Sequence, residues 1–151
     1  MKKISKNDLS DLQLQKLNLA AKILKETSHL FDGISNNILS LWGGGVITHG
    51  IPKIKKCIIG ITENARSVEK SETTKDHLYR VTETARYLLN KINQENIGIN
   101  KIETILLERS AQMITTKYEN RKILRDALKK CKNKDSWQEL YEIAGIRYHL
   151  Y

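Results

Sequence analysis

The sequence contains few of the residues that cross-link chains or interrupt helices. Its 151 residues include two cysteines, Cys57 and Cys131, and one proline, Pro52. Each cysteine falls on the apolar stripe of a predicted helix, which favours reduced thiols in a core over a disulfide or a reactive thiol. A chain of this length can bury a core without disulfides or metals, and its length corresponds to about one domain.

Long apolar runs are also missing. No stretch approaches the roughly 18 apolar residues that a membrane span needs. The first eight residues have the basic start of a signal peptide, but no apolar core follows them. The sequence therefore predicts a soluble, cytoplasmic protein without a membrane partner.

Patterns typical of catalytic and metal sites are absent as well. The four histidines, His29, His49, His77 and His149, show no ligand spacing with one another or with the cysteines. No pair of carboxylates lies on a predicted apolar face, where two-carboxylate chemistry would need it. Asp76 precedes His77, but adjacent residues of a helix point about 100° apart. We therefore predict no enzyme, no cofactor and no metal.

Acidic residues are too few to balance the basic ones. The chain has 26 Lys and Arg against 17 Asp and Glu, a formal net charge of +9 with a pI near 9.5. Such an excess favours anionic partners, namely nucleic acid, acidic protein surfaces or membrane surfaces. The location of the charge on the fold decides among them.

Glycine is concentrated in one place. Residues 41–52 hold four of the eight glycines and the only proline. Three consecutive glycines, Gly43, Gly44 and Gly45, lose so much backbone entropy that the sequence predicts the end of a helix there. Pro52 suits the first turn of the next helix. We predict a glycine-rich break at 43–52 within a single helical domain, between N-terminal helices at 8–42 and a main bundle at 52–151.

Helical periodicity dominates the rest of the chain. A capping box at Ser10 and Gln13 predicts the start of the first helix, with Gly33 as its end and a short second helix from Ile34. A third helix is predicted from Pro52 to Val68. The alternative there is two short strands at 46–48 and 56–61, because both segments are rich in β-branched residues.

The same helical periodicity predicts the later helices. The fourth is predicted from between 71 and 74 to Asn96, with a heptad seam that could also pair two copies in a homodimer: Leu78, Val81, Ala85, Leu88 and Ile92. Residues 100–132 predict one long helix, or two with a kink near Thr115 and Thr116. A second capping box at Ser136 begins a last helix that reaches Tyr151. The whole pattern predicts an all-α fold, a single helical bundle of five to six helices.

Basic residues are gathered on one face of the fifth predicted helix. Between Lys117 and Lys134 there are eight Lys or Arg and two acids. At about 100° per residue the cations fall within one arc beside an apolar arc, and Tyr118 among them could stack on an exposed base. The predicted nucleic-acid or anion-binding residues are Lys117, Tyr118, Arg121, Lys122, Arg125, Lys129 and Lys132.

The glycine-rich break is the second candidate site. Free N–H groups at a helix N-terminus form anion-binding nests, and the residues that would form one here are Gly43, Gly44, Gly45, Gly50 and Lys53. The spacing matches no nucleotide-binding motif, so a hinge or a close helix contact is the competing interpretation.

These observations predict a non-catalytic binding or regulatory subunit that contacts a nucleic-acid backbone through the basic helix face. The alternative is a protein-interaction module of the adaptor, inhibitor, antitoxin or immunity type, which binds an acidic or apolar protein surface. A solvated charged face without a partner is the third interpretation.

Overall fold

The computed structural model describes residues 4–31 and 36–151 and shows a mixed α/β protein with a four-stranded mixed sheet. The predicted all-α helical bundle is therefore wrong. Gly33 and Ile34, at the predicted junction of the first two helices, lie outside the described residues. No helix within 4–31 and 36–151 is long and apolar enough to cross a membrane.

The described residues form seven α-helices and four strands, besides short 3-10 turns. In chain order they are α1 (Asp11–Thr27), α2 (Asn36–Gly50), β1 (Ile58–Thr62), α3 (Glu63–Arg66), β2 (Thr73–His77), α4 (Val81–Glu95), α5 (Ile99–Glu108), β3 (Gln112–Thr116), α6 (Leu124–Leu128), α7 (Trp137–Ile143) and β4 (Tyr148–Leu150). A π-helical segment, Glu119–Ile123, leads directly into α6.

The chain divides into two compact units, each assembled from separate segments. The helical unit contains the described residues between 4 and 54 together with 80–110. The sheet unit contains residues 55–79 and 111–151.

Four helices, α1, α2, α4 and α5, surround the core of the helical unit. The predicted capping box at the start of α1 is confirmed: the Ser10 hydroxyl accepts from the Gln13 N–H, and the Gln13 side chain accepts from the Ser10 N–H. Leu17, Leu24 and Leu88 are fully buried in this core. The α4 residues of the predicted heptad seam therefore pack into the core of their own chain.

The glycine-rich break at 43–52 is a correction, because α2 runs through it to Gly50. A Cβ atom on Gly43 would lie 2.4 Å from the Ala85 Cβ, and one on Gly50 would lie 2.3 Å from the Ala20 Cβ. The helix contacts α4 and α1 at these positions, so packing outweighs the low helix propensity of glycine. The break follows at residues 51–54 instead.

The sheet unit has the strand order β2-β3-β1-β4, in which β1 is parallel to β3 and the outer pairs are antiparallel. Strand β1 confirms the predicted alternative at 56–61, whereas the other alternative strand, 46–48, is part of α2. The predicted third helix from Pro52 to Val68 is accordingly wrong.

Three other predicted helices contain strands of this sheet. The first part of the predicted fourth helix is β2, and α4 begins only at Val81. The predicted long helix at 100–132 is α5, β3 and the helical stretch 117–128. The last helix ends at Ile143, because Gly145 adopts φ +65 and the Ile146 N–H donates to the Tyr141 carbonyl, the hydrogen bond that ends many helices. Strand β4 follows it.

Candidate nucleic-acid interface

The predicted basic face belongs to the helical stretch 117–128 that follows β3 without a loop. Leu124 and Ala127 point into the core of the sheet unit, together with Cys131 just beyond the helix. Burial raises the pKa of the Cys131 thiol, with a smaller contribution from Glu139, so this thiol stays protonated and apolar. The apolar side of the stretch is thus fixed against the sheet.

The opposite side of the stretch is exposed to solvent. Arg121, Lys122, Arg125, Lys129 and Lys132 are all exposed, and Lys117 is half-buried. Tyr118 exposes 66% of its surface, although tyrosine usually buries most of its ring. We call Lys117, Tyr118, Arg121, Lys122, Arg125, Lys129 and Lys132 the basic surface. Lys129 and Lys132 come after the end of α6 at Leu128, so the surface continues past the helix.

One carboxylate lies within the basic surface. The Lys129 Nζ is 3.0 Å and the Lys122 Nζ 4.0 Å from carboxylate oxygens of Asp126. The hydrogen bond from Lys129 lowers the pKa of Asp126, and the charges of Lys129, Lys122 and Arg125 lower it further. Three cations therefore surround Asp126, and the local potential is positive.

Two arginines of the basic surface form no direct contact with an acid in the described part of the chain. Neither Arg121 nor Arg125 forms a salt bridge or a side-chain hydrogen bond there. Both guanidinium groups are exposed, so their fork of N–H donors is available to bind a carboxylate or phosphate bidentately.

A buried carboxylate connects the start of this helical stretch to the sheet. Glu119 is 1% exposed, and its Oε2 accepts from the Thr62 hydroxyl and the Thr116 N–H, both at 2.8 Å. Its Oε1 accepts from the Asn64 amide at 2.9 Å. A buried carboxylate is tolerated only where such donors satisfy it. Glu119 thus ties the helical stretch to β1 and β3.

Asp76 is the centre of a second polar contact, which joins Asn120 and α7 to the sheet. Asp76 on β2 accepts from the Asn120 amide at 2.8 Å and from the Tyr141 hydroxyl at 2.9 Å. Burial raises the pKa of Tyr141, and the negative charge of Asp76 raises it further. The phenol therefore remains a hydrogen-bond donor, and it holds α7 against β2.

Sequence reasoning did not identify these interior polar residues. In the sequence, Glu119 is only one of the two acids between Lys117 and Lys134. Asn120 carries a usable signal, because it interrupts an apolar heptad frame between Ile102 and Cys131, and a polar residue on an apolar stripe needs a buried partner. The partners Thr62 and Asp76 are far away in sequence and could not be read from it.

The residues of the predicted anion nest lie elsewhere than expected. Gly43, Gly44, Gly45 and Gly50 are inside α2, where helical hydrogen bonds use the backbone N–H groups, and Lys53 is exposed beyond it. They therefore do not surround a helix N-terminus, and the close-contact interpretation fits Gly43 and Gly50.

The adjacent pair Asp76 and His77 lies on β2, so the two side chains point to opposite faces of the sheet. The His77 ring is 3.2 Å from the amide nitrogen of Gln112. Within residues 4–31 and 36–151, no three side chains of His, Cys, Asp or Glu converge as metal ligands.

Comparisons with protein family models, with curated proteins and with solved structures gave no match to this chain.

Proposed function

We propose that the protein is a non-catalytic binding or regulatory subunit whose basic surface contacts a nucleic-acid backbone. The observation that supports this most directly is the state of Arg121 and Arg125, which are exposed and form no salt bridge or side-chain hydrogen bond among the described residues. Phosphates of a nucleic acid are spaced regularly and match a row of cations along a helical stretch.

The sheet unit, which carries the basic surface, has a net positive charge of its own. Residues 55–79 and 111–151 carry fourteen Lys or Arg and nine Asp or Glu, a surplus of five out of the net +9. The basic surface concentrates this surplus, and Tyr118 adds an aromatic ring on which a base can stack. Phosphate contacts of this kind give affinity without sequence specificity. The cytoplasmic location expected from the sequence would give the protein access to such a partner.

The test is the salt dependence of binding to a fluorescently labelled double-stranded oligonucleotide of arbitrary sequence. Each phosphate contact contributes about −0.9 to the slope of log affinity against log salt concentration. Replacing both Arg121 and Arg125 with alanine should flatten this slope by about two. The free energy of unfolding should change by no more than about 0.5 kcal/mol, because both side chains are exposed.

A second double variant serves as the matched control. Lys22→Ala with Lys101→Ala removes the same charge from exposed positions of the helical unit. This control should keep the slope of the unchanged protein. If both double variants flatten the slope equally, only the net charge matters and the basic surface is not the binding site. If neither binds less than the unchanged protein, the nucleic-acid proposal fails. Tighter binding of poly-glutamate than of the oligonucleotide would favour the alternative, an acidic protein partner.

A further inference from the structure

The sheet has a second face, which points away from the basic surface. Successive residues of a strand point to opposite faces. Thr62 and Asp76 bond to residues of the helical stretch or α7, so they point to the helix-covered face. Their strand neighbours Ile61 and Lys75 must therefore point to the other face, and both are in register with Ile114 of β3.

This second face carries an open groove of about 620 Å³. Ile61 and Ile114 form its floor, and both keep part of their surface exposed. Ala65 of α3 and Val68 form one wall, and Val68 is 42% exposed. The volume lies within the range of small-molecule sites, about 300 to 1,000 Å³, and such sites are mostly lined by apolar atoms.

Three cations border this apolar floor. Arg66, Lys70 and Lys75 line the groove, and all three are exposed. They form no salt bridge within the described part of the chain, and no described residue that lines the groove is acidic. The acids closest in sequence lie outside the groove: Asp76 points to the helix-covered face, and Glu63, Glu69 and Glu72 are exposed.

We propose that this groove binds a small anionic amphiphile, a molecule with an apolar body and a carboxylate or phosphate head. The apolar body would cover Ile61, Ile114 and Val68 and remove their exposed surface from water. The head would lie between Arg66, Lys70 and Lys75, where a carboxylate or phosphate accepts charge-assisted hydrogen bonds. This groove is separate from the basic surface, and the proposal is independent of nucleic-acid binding.

Alkyl compounds of one chain length but different head groups test whether the groove requires an anionic head as well as an apolar body. The probes are dodecanoate, dodecyl phosphate and dodecylammonium, each below its micelle concentration. The readout is the methyl spectrum of the full-length protein with labelled isoleucine, in which Ile61→Val and Ile114→Val assign the two floor residues. Both anions should shift these two methyl signals with saturation, and the cation should not. A comparison of the two anions shows whether a carboxylate or a phosphate is preferred.

Two sets of variants test the residues. Val68→Asp places a negative charge in the wall at an exposed position, and it should weaken the binding of dodecanoate by about tenfold or more. Lys70→Gln with Lys75→Gln should weaken it by about fivefold, because exposed ion pairs contribute little each. Lys55→Gln, an exposed lysine of the same unit outside the groove, is the control and should change nothing.

Several outcomes would overturn the proposal. Equal binding of dodecylammonium would mean that the groove selects no charge. Unchanged affinity in Val68→Asp, or methyl shifts spread over isoleucines outside the groove, would mean that the amphiphile binds elsewhere. No shift with either anion would mean that the groove holds no such ligand. A saturating oligonucleotide should not displace dodecanoate, so failure of either proposal leaves the other intact.

Discussion

At the scale of single residues, Glu119 decides how the basic surface is presented. Its carboxylate is buried under the first turn of the helical stretch and receives three hydrogen bonds from Thr62, Asn64 and Thr116. All three donors are neutral, so hydrogen bonding and not ion pairing satisfies the group. The exposed cations that follow depend on this anchor for their position, although Glu119 itself faces the interior.

Replacement of Glu119 by leucine should lower the free energy of unfolding by about 2 to 5 kcal/mol. The reason is that the Thr62 hydroxyl and the Thr116 N–H would both lose their acceptor. Glu119→Gln should cost no more than about 1 kcal/mol, because its oxygen can replace Oε2 and the amide of Asn64 can rotate to accept from its nitrogen. Urea unfolding followed by circular dichroism measures both values.

The exposed Glu72 is the control for this comparison, and Glu72→Leu should stay within about 0.5 kcal/mol. If Glu119→Gln destabilises as much as Glu119→Leu, the charge of Glu119 is essential and the hydrogen-bond account is wrong.

At the scale of elements, α2 shows that small residues can be required inside a helix. Gly43 and Gly50 lie against Ala85 and Ala20, and all four are buried. Their lack of bulk brings α2 close to α4 and α1. Gly45 also belongs to α2, but it is exposed and has no neighbouring atom within 4 Å of a Cβ position.

This difference predicts opposite effects for two alanine substitutions in one helix. Gly43→Ala should lower the free energy of unfolding by about 1 to 3 kcal/mol, because the new methyl group overlaps Ala85. Gly45→Ala should raise it by up to about 1 kcal/mol, because alanine favours the helix and meets nothing. Urea unfolding of the two variants side by side measures the difference. Equal stabilisation by both would show that α2 does not pack closely on α4.

The sequence predicted correctly those elements that depend on interactions between residues close together in the chain. The capping box at Ser10 begins α1 because its two hydrogen bonds connect residues three apart. The triple glycine was misleading, because its packing partner Ala85 is about forty residues away. Five-residue strands such as β3 are too short for their alternation to be distinguished from a helical period. Gly145 is a usable signal for the end of α7, because glycine adopts the positive φ that ends a helix.

The candidate site was accessible to sequence reasoning only on its outer side. Arg121 and Arg125 are exposed, as a charged face beside an apolar one predicts. The cations and the apolar residues stay on separate sides through the π-helical segment Glu119–Ile123, although the prediction assumed a uniform rotation of about 100° per residue. The inner side could not be predicted, because its hydrogen bonds join residues that are far apart in sequence. Glu119 accepts from Thr62 of β1, and Asn120 donates to Asp76 of β2.

At the scale of the whole molecule, the chain passes between its two units three times within the described residues. It leaves the helical unit after residue 54, returns at 80 and leaves again after 110. Strands β1 and β2 precede the return, and β3 and β4 follow the second departure. Since β3 lies between β2 and β1, the first two strands have no contact in the sheet without it.

This arrangement predicts that a fragment of residues 1–110 folds only in part. Every buried residue of the helical core lies within it, and none comes from 55–79. Helices α1, α2, α4 and α5 should therefore form, while β1 and β2 lack the strand that joins them. The unpaired segment closes a loop, but loop entropy grows by only about 0.6 kcal/mol for each doubling of length. The amide spectrum should show dispersed signals for the four helices and unfolded positions for 55–79.

An overlapping fragment, residues 80–151, tests the other half of the sheet. It holds β3 and β4, but β1, which lies between them and pairs with both, is missing. Circular dichroism and the amide spectrum should show no sheet, and the helical stretch 117–128 should lose its order because Thr62 and Asp76 are gone. An unfolded 1–110 would show that the helical core needs the sheet unit. A folded sheet in 80–151 would contradict the strand order itself, since β3 and β4 would then have to pair directly.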